Sequence, residues 1–427
     1  MKLSRIGRVS LALVVSVAMG LGMTACGGGT VGFMWVLGTQ YNQIAGFKID
    51  DFTGNLTQVL HSPASSGGVN PVSLVVTPGG RYVYVINQGT TDSSVSVPSG
   101  ACGGATGGIE QFSVGGGGVL TPQQCFVSQG SYPTWASRDS SGNYLYVLDQ
   151  QAPTANCSGA NATNPTLCYG DITVFSINAD TGRLTLVLNQ QQKDSNGAQL
   201  TYFQVGLNPS MIAFAGGGCL MTLDRGDQTV FPYTVGTGGQ LTRPTNSNIA
   251  LNSVNATSIS VNGSSVYITD AGATAASPGG YILPYTVGTS CSLNTANGGA
   301  VANLPLTQNP TYSVTDTSGQ YLYVLNQSTT NSNQPSYSSI SAFTIDKTTG
   351  KLVPLNDQNN PYEVGAGPVC MAEDPTGQYF YTSNAVDGTI TGKSFYKPYG
   401  TLSDLKRGST FTAVGHATCL AISPNVD

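Results

Sequence analysis

Charge is what this chain has least of. Of its 427 residues, 16 are Lys or Arg, 21 are Asp or Glu and 2 are His. A formal net charge of −5 leaves no electrostatic footprint for nucleic acid, so that class of partner is excluded. None of the 9 cysteines stands in Cys-x-x-Cys spacing, which argues against a zinc site. Past the N-terminus no apolar run is long enough to cross a bilayer as a helix. Glycine runs such as Gly115–Gly118 precede no helical pattern and lack the Lys-Ser/Thr of a phosphate loop, so they read as turns. No cofactor is expected.

What is present begins with an address. Lys2, Arg5 and Arg8 precede an apolar run from Val9 to Met23, which ends in Met23-Thr-Ala-Cys26. This is the pattern of a secretory signal and is set aside from fold reasoning. Its end resembles the lipobox of bacterial lipoproteins, which implies an acylated Cys26 as first mature residue. Gly27, in place of an acid, implies delivery to the outer membrane. Met23 stands where that family usually has Leu, so a plainly cleaved signal with a secreted or periplasmic product is the alternative. The expected organisation is a signal over residues 1–26, a Gly-rich tether over 27–30 and one domain over 31–427. The eight cysteines left after Cys26 are an even number in an exported chain, which points to disulfides.

The rest of the sequence repeats itself. PVSLVVTPGGRYVYVIN at 71–87 returns as PTWASRDSSGNYLYVLD at 133–149, PTYSVTDTSGQYLYVLN at 310–326 and PVCMAEDPTGQYFYTSN at 368–384. Each copy opens near a proline, turns at a glycine and continues with the period-two alternation of a half-buried strand. A variable loop follows, then a third run such as Ile172–Ile177 or Ile340–Ile345, a tight Thr-Gly turn and a short fourth run. Four antiparallel strands per unit is the pattern of propeller blades. The second strand is found at Val31–Leu37, Arg81–Asn87, Asn143–Asp149, Cys219–Asp224, Ser265–Asp270, Gln320–Asn326 and Gln378–Asn384, hence seven blades. The first unit lacks its own first strand, whereas His416–Pro424 (HATCLAISP) aligns with Asn70–Pro78 (NPVSLVVTP). The fold class is therefore all-β, a seven-bladed propeller closed by a C-terminal strand that completes the first blade and removes an open sheet edge.

This repeat resembles that of the seven-bladed lactonase family, with its 6-phosphogluconolactonase-like and carboxymuconate-lactonizing propellers, and the broader YVTN-type repeat. The resemblance covers essentially the whole mature chain and implies the fold, whereas activity must be argued from the site. On the blade geometry, Cys102 pairs with Cys125, Cys157 with Cys168, Cys219 with Cys291 and Cys370 with Cys419, the last locking the closing strand; other pairings stay open. The short tether places the bottom face toward the membrane and the top loops outward.

In the family, catalytic His and Arg residues come from Pro-Arg-His-like openings of the inner strands at the top mouth, together with an acid. Lactone opening needs a base for water and a donor for the oxyanion. Here the openings read Pro71-Val-Ser, Pro133-Thr-Trp, Pro209-Ser-Met, Ala256-Thr-Ser, Pro310-Thr-Tyr, Pro368-Val-Cys and Ala417-Thr-Cys, without Arg or His. The residues just before them include Asn70, Tyr132, Asn208, Asn255 and Asn309, with Gly367 and His416 completing the ring. They are candidates for a polar mouth that binds a neutral ligand such as a sugar. The plainer reading is that Asn suits an extended position before Pro and satisfies loop backbone.

A hydrolytic alternative uses His416 as base, Glu363 as its orienting partner and Arg225 as anion contact. His61 and Asp227 also lie in top loops, and the plainer reading of all five is solvated loop. Asn87, Asp149, Asp224, Asp270, Asn326 and Asn384 end the second strands. They would cap turns, or less simply hold Ca²⁺. Arg138 and Glu373 share a register near the bottom of blades three and seven, too far apart to pair. The loops Gln88–Gly108, Gln150–Gly170 and Gln327–Ser338 are long, neutral and on the outward face, where binding function concentrates. The expected protein is a monomeric, lipid-anchored, lactonase-like scaffold that binds a small neutral ligand, a sugar lactone or an envelope protein. The alternative is a lactone hydrolase with relocated catalytic groups.

Overall fold

The computed structural model describes residues 29–153, 168–194, 196–243, 248–272, 277, 279–296, 298–304, 309–327 and 338–424. The leader, Cys26, Cys157 and most of two long loops lie outside the described residues. Seven antiparallel sheets are arranged as blades around an axis, as the repeat predicts. The C-terminal strand Ala417–Pro424 pairs with Thr30–Gly38 and becomes the innermost strand of blade one. The ring is closed by hydrogen bonds between the two ends of the chain.

One feature departs from the expected four-strand unit. In six blades the outer strand is split: one segment pairs the lower half of the third strand and a second pairs its upper half. In blade one these are Leu56–Gln58 and Ala64–Ser65, both on Gln43–Asp50. Only blade two keeps a continuous outer strand, Leu120–Phe126.

The Tyr-x-Tyr frame explains why the repeat is conserved from copy to copy. The second position of the frame is a fully buried tyrosine in five blades, with Ser265 in place of the first tyrosine in blade five, and a buried hydroxyl needs an acceptor. Tyr84, Tyr146, Tyr267, Tyr323 and Tyr381 donate to the carbonyls of Gly182, Gly239, Gly350, Gly400 and Gly54, each in the lower turn of the next blade. These glycines have positive φ, and at Gly239 and Gly400 a Cβ would sit 2.3 Å from the ring of Tyr144 or Tyr321. No other residue fits there.

Two junctions lack the tyrosine and are bridged otherwise. Between blades one and two, the Nε1–H of buried Trp35 donates to the carbonyl of Gly118 at 3.2 Å. In blade four Met221 occupies the tyrosine register, and the Cys219–Cys291 disulfide joins blades four and five instead. All seven junctions are thus fastened near the lower face.

The lower turns between first and second strands have a common chemistry as well. Asp139, Asp316 and Asp374 accept from the amides of Tyr144, Tyr321 and Tyr379, which start the next strand. Cys102–Cys125 and Cys370–Cys419 are bonded as expected. The expected Cys157 partner of Cys168 is outside the described residues. No helix among the described residues is long and apolar enough to cross a membrane.

Candidate functional site

The mouth of the channel is built from the seven inner-strand openings, each of which carries a β-bulge. Pro71 faces Asn87 while Ser73 faces Ile86, so Val72 has no partner, and the same skip occurs after Pro133, Pro209, Ala256, Pro310 and Pro368 and within Ala417–Leu420. Bulges re-aim side chains at a rim. Two of the extra residues fasten neighbouring blades: Thr311 Oγ1 donates to the Pro368 carbonyl at 3.0 Å, and Thr418 Oγ1 to that of Pro71 at 2.9 Å.

Five of the seven residues before the openings are not extended, contrary to the plainer sequence reading. Asn70, Tyr132, Asn208 and Asn309 have φ between 47° and 59°, and Gly367 has φ 68°. Asparagine and glycine are favoured in this left-handed region. Their carbonyls turn inward to accept from the residue after the second strand, as in Gln88 N–H to Asn70 O at 2.8 Å and Gln327 N–H to Asn309 O at 3.1 Å.

The side chains of Asn70 and Asn208 then meet residues that the sequence reading named only as the starts of loops. Asn70 Nδ2 donates to Gln88 Oε1 at 2.8 Å, Gln88 Nε2 to Gln150 Oε1 at 3.3 Å, and Gln150 Nε2 to Asn208 Oδ1 at 3.5 Å. This carboxamide chain spans blades two, three and four, and all four residues are half-buried. On blade six, Gln327 Nε2 reaches the Pro368 carbonyl at 3.3 Å. The signal was available: Gln88, Gln150 and Gln327 each follow the Asn or Asp that ends a second strand. Asn255 is exposed and, like Asn309, adds no side-chain link to this chain.

Directly beneath the mouth the channel is plugged. The second residues after the openings are Ser73, Trp135, Met211, Ser258, Tyr312, Cys370 and Cys419. Trp135 of blade three meets Tyr312 of blade six across the axis, with ring centroids 6.3 Å apart. Both rings also pack against the core that contains Cys370 and Cys419. Burial pushes the Tyr312 phenol up to about 12.

The residues that end the second strands are buried, not displayed. Asp270 accepts from the amides of Asn255 and Gly272, both at 2.8 Å, and Asn326 and Asn384 donate to Ser341 and Thr391 on the third strands. They buttress the top connectors. In blade three the third strand supplies Asp171 opposite Asp149, so two carboxyls share one buried site with Thr173. Desolvation raises both; Asp149 rises to about 7 and Asp171 well above its ordinary value, with the Asp149 charge adding to the second shift.

Of the hydrolytic candidates, Arg225 adjoins the carboxamide chain through its amide, which donates to the Asn208 carbonyl at 3.1 Å. His416 is exposed, and its carbonyl holds the amide of Thr39 at 3.1 Å. Glu363 sits on the outer segment of blade six and lines a groove of about 530 Å³ with Lys393 and Asp404 of blade seven. Arg225 and Asp227 are exposed in the short top turn of blade four. His61 lines a small cleft between blades one and two beside Trp35. Among the described residues no hydrogen bond or ion pair joins His416, Glu363 and Arg225, and the single ion pair is Lys393–Asp404 at 2.6 Å.

Comparison with known proteins agrees with the architecture. Residues 284–417 match the family described as lactonase, 7-bladed beta-propeller. No curated relative matches the sequence. Among solved structures, a protein from Lactobacillus plantarum superposes with a TM-score of 0.64 at 16% identity, covering 92% of this chain and 100% of its own. A provisionally assigned 6-phosphogluconolactonase of Bacteroides fragilis gives 0.63 at 17%, covering 92% and 98%. The periplasmic gluconolactonase of Pseudomonas aeruginosa gives 0.62 at 16%, covering 92% and 99%. At these identities the likeness is one of fold. The chain is accordingly a seven-bladed β-propeller that carries a lactonase-propeller match over residues 284–417.

Proposed function

We propose that this protein is an exported, lipid-anchored propeller that binds a neutral, hydroxyl-rich ligand at its top mouth and does not hydrolyse lactones. The observation that carries the reading is the Asn70–Gln88–Gln150–Asn208 chain, which occupies the mouth where relatives of this fold are expected to place ionisable groups. Each carboxamide offers both donors and an acceptor, the complement of a sugar hydroxyl, with no charge to desolvate. The plug of Trp135 and Tyr312 gives the mouth a floor, so a ligand would rest on the ring and not thread the channel. A direct test is calorimetric titration of neutral mono- and oligosaccharides against the full chain and its Gln150→Ala and Asn208→Ala variants. A lost hydrogen bond of about 0.5–1.5 kcal/mol weakens binding by roughly 2- to 12-fold per variant. Unchanged affinity in both would remove the mouth from the account.

The hydrolase reading keeps one supporting observation, the family match over residues 284–417. It requires His416, Glu363 and Arg225 to converge on substrate. Export rests on the leader alone; incorporation of a labelled fatty acid that disappears in Cys26→Ala is the expected outcome.

A further inference from the structure

The half of the channel below the plug is a second chamber. A cavity of about 420 Å³ lies under Trp135 and Tyr312 and is enclosed by the lower halves of the inner strands. Its residues run from Trp135, Met211 and Tyr312 at the roof down to Val76, Arg138, Thr315 and Ile422 at the lower rim, and these rim residues are half-exposed. The chamber therefore opens on the bottom face. Small-molecule sites commonly have about 300–1,000 Å³, mostly apolar walls and a few polar groups that fix orientation.

The chamber matches that size, and its walls combine aliphatic surface from Val76, Ala213, Val261, Val314 and Ile422 with the hydroxyl residues Ser137, Ser260, Ser313 and Thr315. The single charged residue that lines them is Arg138. Its Nε donates to the Val76 carbonyl at 2.9 Å and its Nη1 to the Asp139 carbonyl at 3.2 Å, which fixes the guanidinium at the rim. Among the described residues no carboxylate pairs with it. The acid in the same register of blade seven, Glu373, accepts from Thr317 N at 2.6 Å and Thr317 Oγ1 at 3.1 Å, and it does not line the chamber. A guanidinium with donors left over, held at the edge of a chamber with aliphatic patches on its walls, is a receptor for a carboxylate with an aliphatic body.

We propose that the bottom-face chamber binds an amphipathic monocarboxylate, its head on Arg138 and its alkyl body against the aliphatic walls beneath Trp135. This site is separate from the carboxamide mouth and does not depend on it. The chain has two tryptophans, and Trp35 is fully buried between blades one and two, so a ligand-dependent change in emission reports Trp135.

The test titrates the full chain with octanoate and follows tryptophan emission, with octanol and acetate as controls. The expected result is a saturable change with octanoate. Octanol and acetate should each bind at least 10-fold more weakly, and Arg138→Met should weaken octanoate binding at least 10-fold. Ala213→Phe, which fills the chamber without touching Arg138, should abolish binding while the circular dichroism spectrum stays that of the parent; it decides the matter if Arg138→Met does not fold. Gln150→Ala, at the other mouth, should leave the octanoate titration unchanged. No saturable change with octanoate, equal affinity for octanol, or unchanged affinity in Ala213→Phe would overturn the proposal.

Discussion

The hydroxyl of Tyr381 donates to the carbonyl of Gly54 at 2.6 Å, joining residues 327 positions apart. It is the junction between the last blade and the first, and the same bond recurs at four other junctions with four other tyrosines. Tyr381→Phe keeps the ring and strands the Gly54 carbonyl in a buried site. A loss of about 1–3 kcal/mol is expected in chemical denaturation. Tyr82→Phe, whose hydroxyl bonds the Asp180 carbonyl at an exposed site, should cost less. Equal effects would mean that burial is not what gives the staple its strength.

Blade four has no such tyrosine, so its junction with blade five depends on Cys219–Cys291, which closes a span of 72 residues. Replacing both cysteines by Ala should cost about 2–4 kcal/mol. The Cys102–Cys125 bridge spans 23 residues within one blade and should cost less when removed, since a shorter loop constrains the unfolded chain less. Thermal unfolding of the two double variants, side by side, checks the order.

The Asp149–Asp171 pair predicts a pH dependence. Both carboxyls hold their protons more tightly in the folded protein than in the unfolded chain, because burial penalises the charged forms. The folded state is therefore favoured below the ordinary carboxylate range and loses that advantage as pH rises through about 7. Asp149→Asn reproduces the residue found at this register in blades six and seven and supplies a donor to the unpartnered Asp171 Oδ1. The variant should unfold at a higher temperature than the parent at pH 8, and the difference should shrink progressively as pH falls toward 4. A gain that is equal at pH 4 and pH 8, or larger at pH 4, would contradict the assignment.

Much of this architecture was legible because its causes are local and repeated. Period-two alternation, the glycine turns and the Tyr-x-Tyr frame identified the second strands, and the likeness of HATCLAISP to NPVSLVVTP identified the closing strand. Pairing Cys219 with Cys291 followed from the blade count. The site was less legible because it depends on relations between blades. Gln88 and Gln150 look like the first residues of polar loops until the bulges and the left-handed Asn70 and Asn208 turn their carboxamides toward one another. The Trp135–Tyr312 contact is equally invisible in one dimension, since it joins blades three and six across an axis. The split outer strand was missed because its two segments, such as Leu56–Gln58 and Ala64–Ser65, are too short to alternate recognisably.

The central claim is that the mouth of this propeller recognises without hydrolysing. Its most direct test is the rate of glucono-δ-lactone and 6-phosphogluconolactone opening, followed by proton NMR with the purified full chain. The account predicts the rate of buffer alone for both, unaltered by His416→Ala, Glu363→Ala or Arg225→Ala. Acceleration that saturates with lactone and is lost in His416→Ala would contradict it and establish the hydrolase.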